Sequence, residues 1–343
     1  MMKRTLAGLF GLVLAASLGW AGPGVAAAAE KLVLGMPVKP PNMIHIPVFY
    51  ALDKGIFKKN GLDVEVKFFR GGTATHRAAA SAQSDLDASW VPAPLAMSGI
   101  AGGSGLKIFH CMAFKNEAQV AAAPGIKSAA ELKGKTIGIE GRGGYSHLGA
   151  LATLESAGLK DEDVKYIMTP PPARVPYLIE GKADAVVIHV EQVLLAQKRR
   201  PGVTSLGDIW KLMPNYLYGA FIAPEGKLKS NRDAYVRFTV AMIQANRAIY
   251  KDKKGYLESA KKWIGPLYEG HDDIIEKTYD TFIKERLWSV NGGLPKSSVD
   301  WTNSFNAKLK KYKGDPPTYE QLVDAGIVKE ALAKVGETEP GEN

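Results

Sequence analysis

The spacing of hydrophobic positions changes along this chain, and each change marks an element. Val48, Ala51 and Leu52 share one helical face. That helix opens at Pro47, where a missing N–H costs nothing, and stops at Gly55 in a left-handed cap. After a turn at Gly61, Leu62, Val64, Val66 and Phe68 alternate as a strand. An apolar strand, "KLVLG", and a proline-rich loop, "MPVKPPNMIH", precede this unit. The unit recurs. "RGGTATHRAAASAQS" reads as a glycine turn into a helix with Thr73 as N-cap. "DLDASWV" is a strand, "APLAMSGIAGG" a helix and "LKIFHCMAF" a strand.

From about Asn116 the style changes. "EAQVAAAPGI", "KTIGIE", "VKYIM" and "ADAVVI" are expected strands, and "SAAELKG" is a small helix. "GRGGYSHLGALATLESAGL", "ARVPYLIEG" and "EQVLLAQKR" are further expected helices. "YLYGAFIAP" is a strand that leads back, and residues 231–250, 272–288 and 298–312 are amphipathic helices. Strands alternating with helices of this length predict α/β sheets. One echo is internal. "AAASAQSDLDASWVPAPLAMSG" and "YLIEGKADAVVIHVEQVLLAQ" both run helix, small-residue turn, aspartate, apolar strand, loop, helix. Two similar halves with a return strand predict two α/β lobes, a ligand cleft between them and a helical C-terminal region.

Composition narrows the classes. At 343 residues and 46% hydrophobic content the chain can bury two domain cores. A single cysteine, Cys111, excludes a disulfide framework and a cysteine-rich metal site; lying in a strand, it reads as buried and inert. Met1 to Arg4 form a basic start, Leu6 to Leu18 an apolar run too short to span a bilayer, and Ala26 to Ala29 a small-residue cleavage site. Residues 1–29 are therefore expected to be a Sec-type signal peptide cleaved near Ala29, with no lipoprotein cysteine and a periplasmic product. Losing Lys3 and Arg4 lowers the formal charge of +9 by two. The remaining lysines are scattered, so nucleic acid is not an expected partner. The organisation expected is residues 30–115 as the first part of lobe 1, 116–219 as lobe 2, and 220–343 as the return to lobe 1 with C-terminal helices.

In open α/β sheets ligands meet the loops at the carboxyl ends of strands. Those loops supply Asn42 and His45, then Arg70, Gly72 and Thr73, then Trp90, all in the first lobe. The second half supplies Gly143, Gly144, Tyr145 and Ser146, then His189 and Glu191, with Tyr218 on the return. "RGGT" and "GRGGYS" open helices whose N–H groups suit an anion or a polar heterocycle, but neither is a P-loop or a dinucleotide fingerprint. Arg70 suits a carboxylate or sulfonate, and Trp90 suits stacking. The six histidines lack metal-site spacing and no G-x-S-x-G elbow exists, so no catalytic residue, metal or cofactor is assigned.

"HIPVFYALDKGIFKKNGLDVEV", "SAQSDLDASW", "PGIKSAAELKGKTIGIE", "LIEGKADAVVI" and "TYEQLVDAGIVKEAL" together resemble the solute-binding proteins of ABC importers in the nitrate/sulfonate/taurine group. The resemblance extends over residues 32–332. That group shares a domain with thiamine-pyrimidine synthases. It implies the type II periplasmic binding fold, a monomer, non-catalytic capture of a small ligand by hinge closure, and a permease and ATPase as partners. The hinge would run near Ala113 to Gln119 and Leu217 to Ile222. In the pyrimidine-synthase branch a histidine stands just ahead of the first helix, and His45-Ile46-Pro47 matches that position. The cysteine-rich segment of those enzymes is absent here, as is the cysteine that sulfinate desulfinases need in the first loop, so an enzyme on this fold is the alternative. The residues leave two ligand classes open: an organic anion held by Arg70, or a heteroaromatic held by His45, Trp90, Tyr145 and Glu191.

Overall fold

The structure is a computed structural model that describes residues 28–338. The basic start and apolar run of the expected signal peptide lie outside the described residues. Lobe 1 begins with β1 (Glu30–Met36), α1 (Ile46–Asp53) and β2 (Leu62–Phe68). It continues through α2 (Gly72–Ala79), β3 (Ala88–Pro92), α3 (Ala93–Ala101) and β4 (Leu106–Ala113). The second lobe holds β5 (Ala118–Ala122), β6 (Thr136–Ile139), α4 (Tyr145–Ser156) and β7 (Lys165–Met168). It closes with α5 (Arg174–Ile179), β8 (Ala185–His189), α6 (Val190–Arg199) and β9 (Thr204–Asp208). The chain returns as β10 (Gly219–Pro224) and then turns helical: α7 (Arg232–Ile249), α8 (Lys253–Ile264), α9 (Asp272–Lys284), α10 (Lys296–Lys308) and α11 (Ala325–Val335).

Each lobe is built on a five-stranded sheet, ordered β2-β1-β3-β10-β4 and β7-β6-β8-β5-β9. The two orders are equivalent. In both, three parallel strands are followed by the antiparallel strand that arrives straight after a crossover between lobes. The sequence echo occupies matching places, β3–α3 and β8–α6. Its two aspartates do the same work: Asp87 accepts from the Val33 N–H and Asp184 from the Thr136 N–H, each at 2.8 Å. A carboxylate thus satisfies a strand donor just ahead of where the ladder to the next strand begins.

Burial follows the pattern read from the sequence. Leu32, Leu34 and Met36 of β1 are buried, and Phe109, Phe221 and Phe238 meet in the lobe 1 core with ring centroids 5.0–6.3 Å apart. Val186 and Ile188 of β8 pack with Leu178 and Val193 in lobe 2. Gly55 follows α1 with φ +66°, the left-handed stop expected. Thr73 is not an N-cap. Gly71, whose positive φ of +98° suits a residue without a side chain, takes that place, and Thr73 lies inside the first turn of α2. Of the elements labelled above, three were not anticipated: β9, which pairs with β5, and the helices α8 and α11. No helix among the described residues is long and apolar enough to cross a membrane.

Candidate functional site

The carboxyl ends of β1, β3, β6 and β8 converge where the lobes meet, and the site is built there. After β1 the chain makes one tight 3-10 turn, Met43–His45. The Asn42 N–H donates to His45 Nδ1 across that turn at 3.3 Å, so the ring proton resides on Nε2. His45 is 2% exposed and its Nε2 has no partner among the described residues. Burial, helped by the nearby charge of His189, pushes His45 down to about 3. At neutral pH it is therefore an uncharged ring with a free N–H donor.

His45 meets the indole of Trp90 edge-on, with centroids 4.3 Å apart. Trp90 lies in the middle of β3, is buried, and presents a second unpartnered donor, Nε1. The indole lies against β10 because position 219 is glycine; a Cβ there would sit 2.5 Å from it. Trp90 touches Tyr218 (5.5 Å), Tyr218 touches Tyr145 (5.6 Å), and Tyr145 stacks on His189 (5.4 Å). These contacts form one continuous aromatic wall from lobe 1 to lobe 2. Burial raises both phenols well above their ordinary range, so they remain neutral.

The opposite chemistry sits beside the wall. His189 is the N-cap residue of α6, and its Nδ1 is hydrogen-bonded to Glu117, which is fully buried in the crossover between β4 and β5. Burial alone would lower His189, but the Glu117 charge and hydrogen bond outweigh it and hold the imidazole above its ordinary value. Asn42 Nδ2 lies 2.7 Å from His189 Nε2. Glu191, in the first turn of α6 and 1% exposed, accepts the Met43 N–H at 3.2 Å. Burial raises its carboxyl above the usual range. Asn42 and Met43 belong to lobe 1, and His189 and Glu191 to lobe 2, so these bonds join the lobes.

The glycine turn ahead of α4 is held from several sides. Ser146 Oγ accepts the Glu140 N–H at 2.8 Å, and the Gly143 N–H donates to His147 Nδ1 at 2.7 Å. His147 Nε2 lies 3.1 Å from Asp161, which also binds Arg142 at 2.6 Å. Gly143 has φ +68°, and the side chain of Lys311, from the other lobe, fills the space a Cβ would need. Gly144 is the N-cap of α4. Glu140 Oε2 accepts from Arg174 at 2.5 Å, and the guanidinium lies 5.6 Å from the Tyr145 ring centre.

Of the residues singled out from the sequence, Asn42, His45, Trp90, Tyr145, His189, Glu191 and Tyr218 come together. Ser146, Gly143 and Gly144 border them on the α4 turn. Arg70 and Thr73 are exposed, while Gly72 packs under Pro92 at the start of α3, its missing Cβ 2.8 Å from the ring. Sequence reasoning missed Glu117, Glu140 and Arg174. A glutamate beside asparagine, as in "KNEA", reads as solvent-facing; only its place at the crossover between lobes could have marked it. Among the described residues no group of histidine, cysteine and carboxylate side chains is arranged to hold a metal ion.

The NMT1/THI5-like family model matches residues 42–254, more than half of the chain. A Brucella abortus protein described as a candidate binding protein is 29% identical over 202 residues, which cover 57% of this chain and 60% of that protein. The chain thus matches less than two thirds of the length of such curated relatives. The periplasmic nitrate-binding protein NrtA of Synechocystis PCC 6803 superposes with a TM-score of 0.74 at 14% identity, covering 90% of this chain and 89% of that one. A periplasmic sulfonate-binding protein described as part of a sulfonate ABC transporter, from Methylobacillus flagellatus KT, gives 0.70 at 14% identity, covering 90% and 95%. These two likenesses establish a shared fold, the two-lobed α/β architecture of periplasmic binding proteins. The family match begins at Asn42, the first residue of the cluster, and runs through both crossovers between lobes: this chain belongs to the NMT1/THI5-like family.

Proposed function

We propose that this protein is the ligand-capturing receptor of an ABC importer and that it closes its lobes over a small heteroaromatic molecule. The observation that carries this reading is the junction itself. Two lobes meet on an aromatic wall of Trp90, Tyr218 and Tyr145, with unpartnered donors at His45 Nε2 and Trp90 Nε1. A flat ring with nitrogen acceptors suits stacking and both donors at once. The heteroaromatic reading is favoured over a bare anion because buried carboxylates line the junction. Capture is non-catalytic, with the ligand held and released unchanged. The organisation that fits is 30–115 and 220 onward as one moving body and 116–219 as the other, hinged at the two crossovers. The fold shared with periplasmic receptors and the leader-like residues 1–29 support export to the periplasm, work as a monomer, and a membrane permease with its ATPase as partners.

Thermal unfolding of the mature protein against two panels tests this. One panel holds aminopyrimidines and related heteroaromatics; the other holds nitrate, sulfonates and carboxylates. A ligand at about 100 times its Kd stabilises by about 2.7 kcal/mol, a shift of a few degrees. The expected result is a shift with the first panel that Trp90→Ala removes. A shift with the anions alone refutes the heteroaromatic reading.

A further inference from the structure

The carboxylates at the junction are not equally provided for. Glu140 is paired with Arg174 at 2.5 Å, and Glu117 with His189. Glu191 has neither kind of partner. It is 1% exposed, its Oε1 accepts one backbone N–H from Met43 at 3.2 Å, and its Oε2 has no donor among the described residues. The groups that face it are His189, already engaged by Glu117, the carboxylate of Glu117, and the phenols of Tyr145, Tyr256 and Tyr268. The Tyr256 hydroxyl is committed to the Met43 carbonyl at 2.9 Å. Glu117 Oε2 is likewise buried without a donor. A buried carboxylate persists when something supplies opposite charge and hydrogen bonds. Among the described residues no arginine or lysine is hydrogen-bonded to either oxygen, while the Tyr145 ring lies within electrostatic reach of both carboxylates and the Tyr218 ring of Glu117.

Resting on the receptor reading above, we infer that the captured molecule is a planar heteroaromatic cation with an amidinium-like pair of N–H groups and one unprotonated ring nitrogen: the N–H groups donate to Glu191 Oε2 and Glu117 Oε2, and the ring nitrogen accepts from the His45 or Trp90 N–H. The aromatic wall then adds a cation–π attraction that a neutral ring of the same shape lacks. Glu191 sets the charge preference, and the wall sets the shape.

The test is isothermal titration of the mature protein with three rings of near-identical shape: benzamidinium, benzamide and benzoate. Benzamidinium is expected to bind at least about tenfold more tightly than benzamide, and benzoate more weakly than both. Glu191→Gln should bring the benzamidinium-to-benzamide ratio to about one, while Glu191→Asp preserves the preference. If a variant fails to fold, the wild-type ratio read against pH answers the same question. It should rise with pH as Glu191 ionises and His189 loses its proton. Equal affinity for benzamidinium and benzamide, or a preference that survives Glu191→Gln, overturns the charge assignment and leaves the receptor reading standing. Binding of nitrate or methanesulfonate with none of the three rings bound overturns both.

Discussion

Lowering the pH from 7 to 5 should remove about 2 kcal/mol of folding stability through one side chain, His110. This residue lies in β4, fully buried, against the Phe221 ring at 5.6 Å, and neither ring nitrogen has a partner among the described residues. Burial pushes its pKa down to about 3 in the folded protein, against an ordinary value of about 6.5. Between those values the unfolded chain binds a proton that the native state refuses. The contribution is intact above the unfolded value and is lost as pH falls through it, which fixes the sign. One pKa unit corresponds to about 1.4 kcal/mol, and from pH 7 to 5 the unfolded imidazole gains nearly its whole share, about 2 kcal/mol. His45 is depressed similarly but sits at the lobe junction, where ligand and closure also act, so His110 is the cleaner probe. His110→Leu, close in volume and with nothing to solvate, should be neutral or stabilising at pH 7. Urea midpoints of both proteins at pH 5 and 7 isolate the effect, because every other titrating group cancels in the difference. If His110→Leu loses as much stability on acidification as the wild type, the reasoning is wrong.

Two further outcomes follow from the geometry. Asp184→Ala strands the Thr136 N–H at a strand end and should cost about 1–3 kcal/mol; Asp87→Ala should cost about as much in lobe 1, both read from urea midpoints. Gly143→Ala forces a side chain into a left-handed turn, a cost of about 1–2 kcal/mol, and displaces Lys311. The cost should shrink when Lys311→Ala is combined with it, and additive effects would show that the two residues are not coupled.

The sheets were legible because their strands carry strong periodicity. Leu62 to Phe68 alternate, and the run around Val186 is apolar on both faces. The strand β9, "TSLGD", has one large apolar residue and no alternation; it is a strand because β5 offers it an edge. The helix α8 hides its apolar row, Tyr256, Ala260 and Ile264, behind Gly255 and a dense set of lysines. At the site, rings announce themselves, since Trp90 and His189 lie within and at the end of apolar strands and Tyr145 opens a helix after a glycine turn. Charges do not. Arg70 and Glu117 look alike as surface residues in sequence, and only the crossover path separates the exposed one from the buried one.

The strand exchange between the lobes also orders how the chain assembles. Lobe 2 is one continuous stretch, and its sheet has every strand once residue 208 is made. Lobe 1 waits. Its sheet has a gap between β3 and β4 that only β10 fills, with Gly219 beside Pro92 and Pro224 beside Leu106. Until that strand emerges, β3 and β4 present unpaired edges, and closing the gap requires a long-range loop. The lobe whose first strand is made second is thus the first that can be complete, and the lobe that starts the chain is finished last.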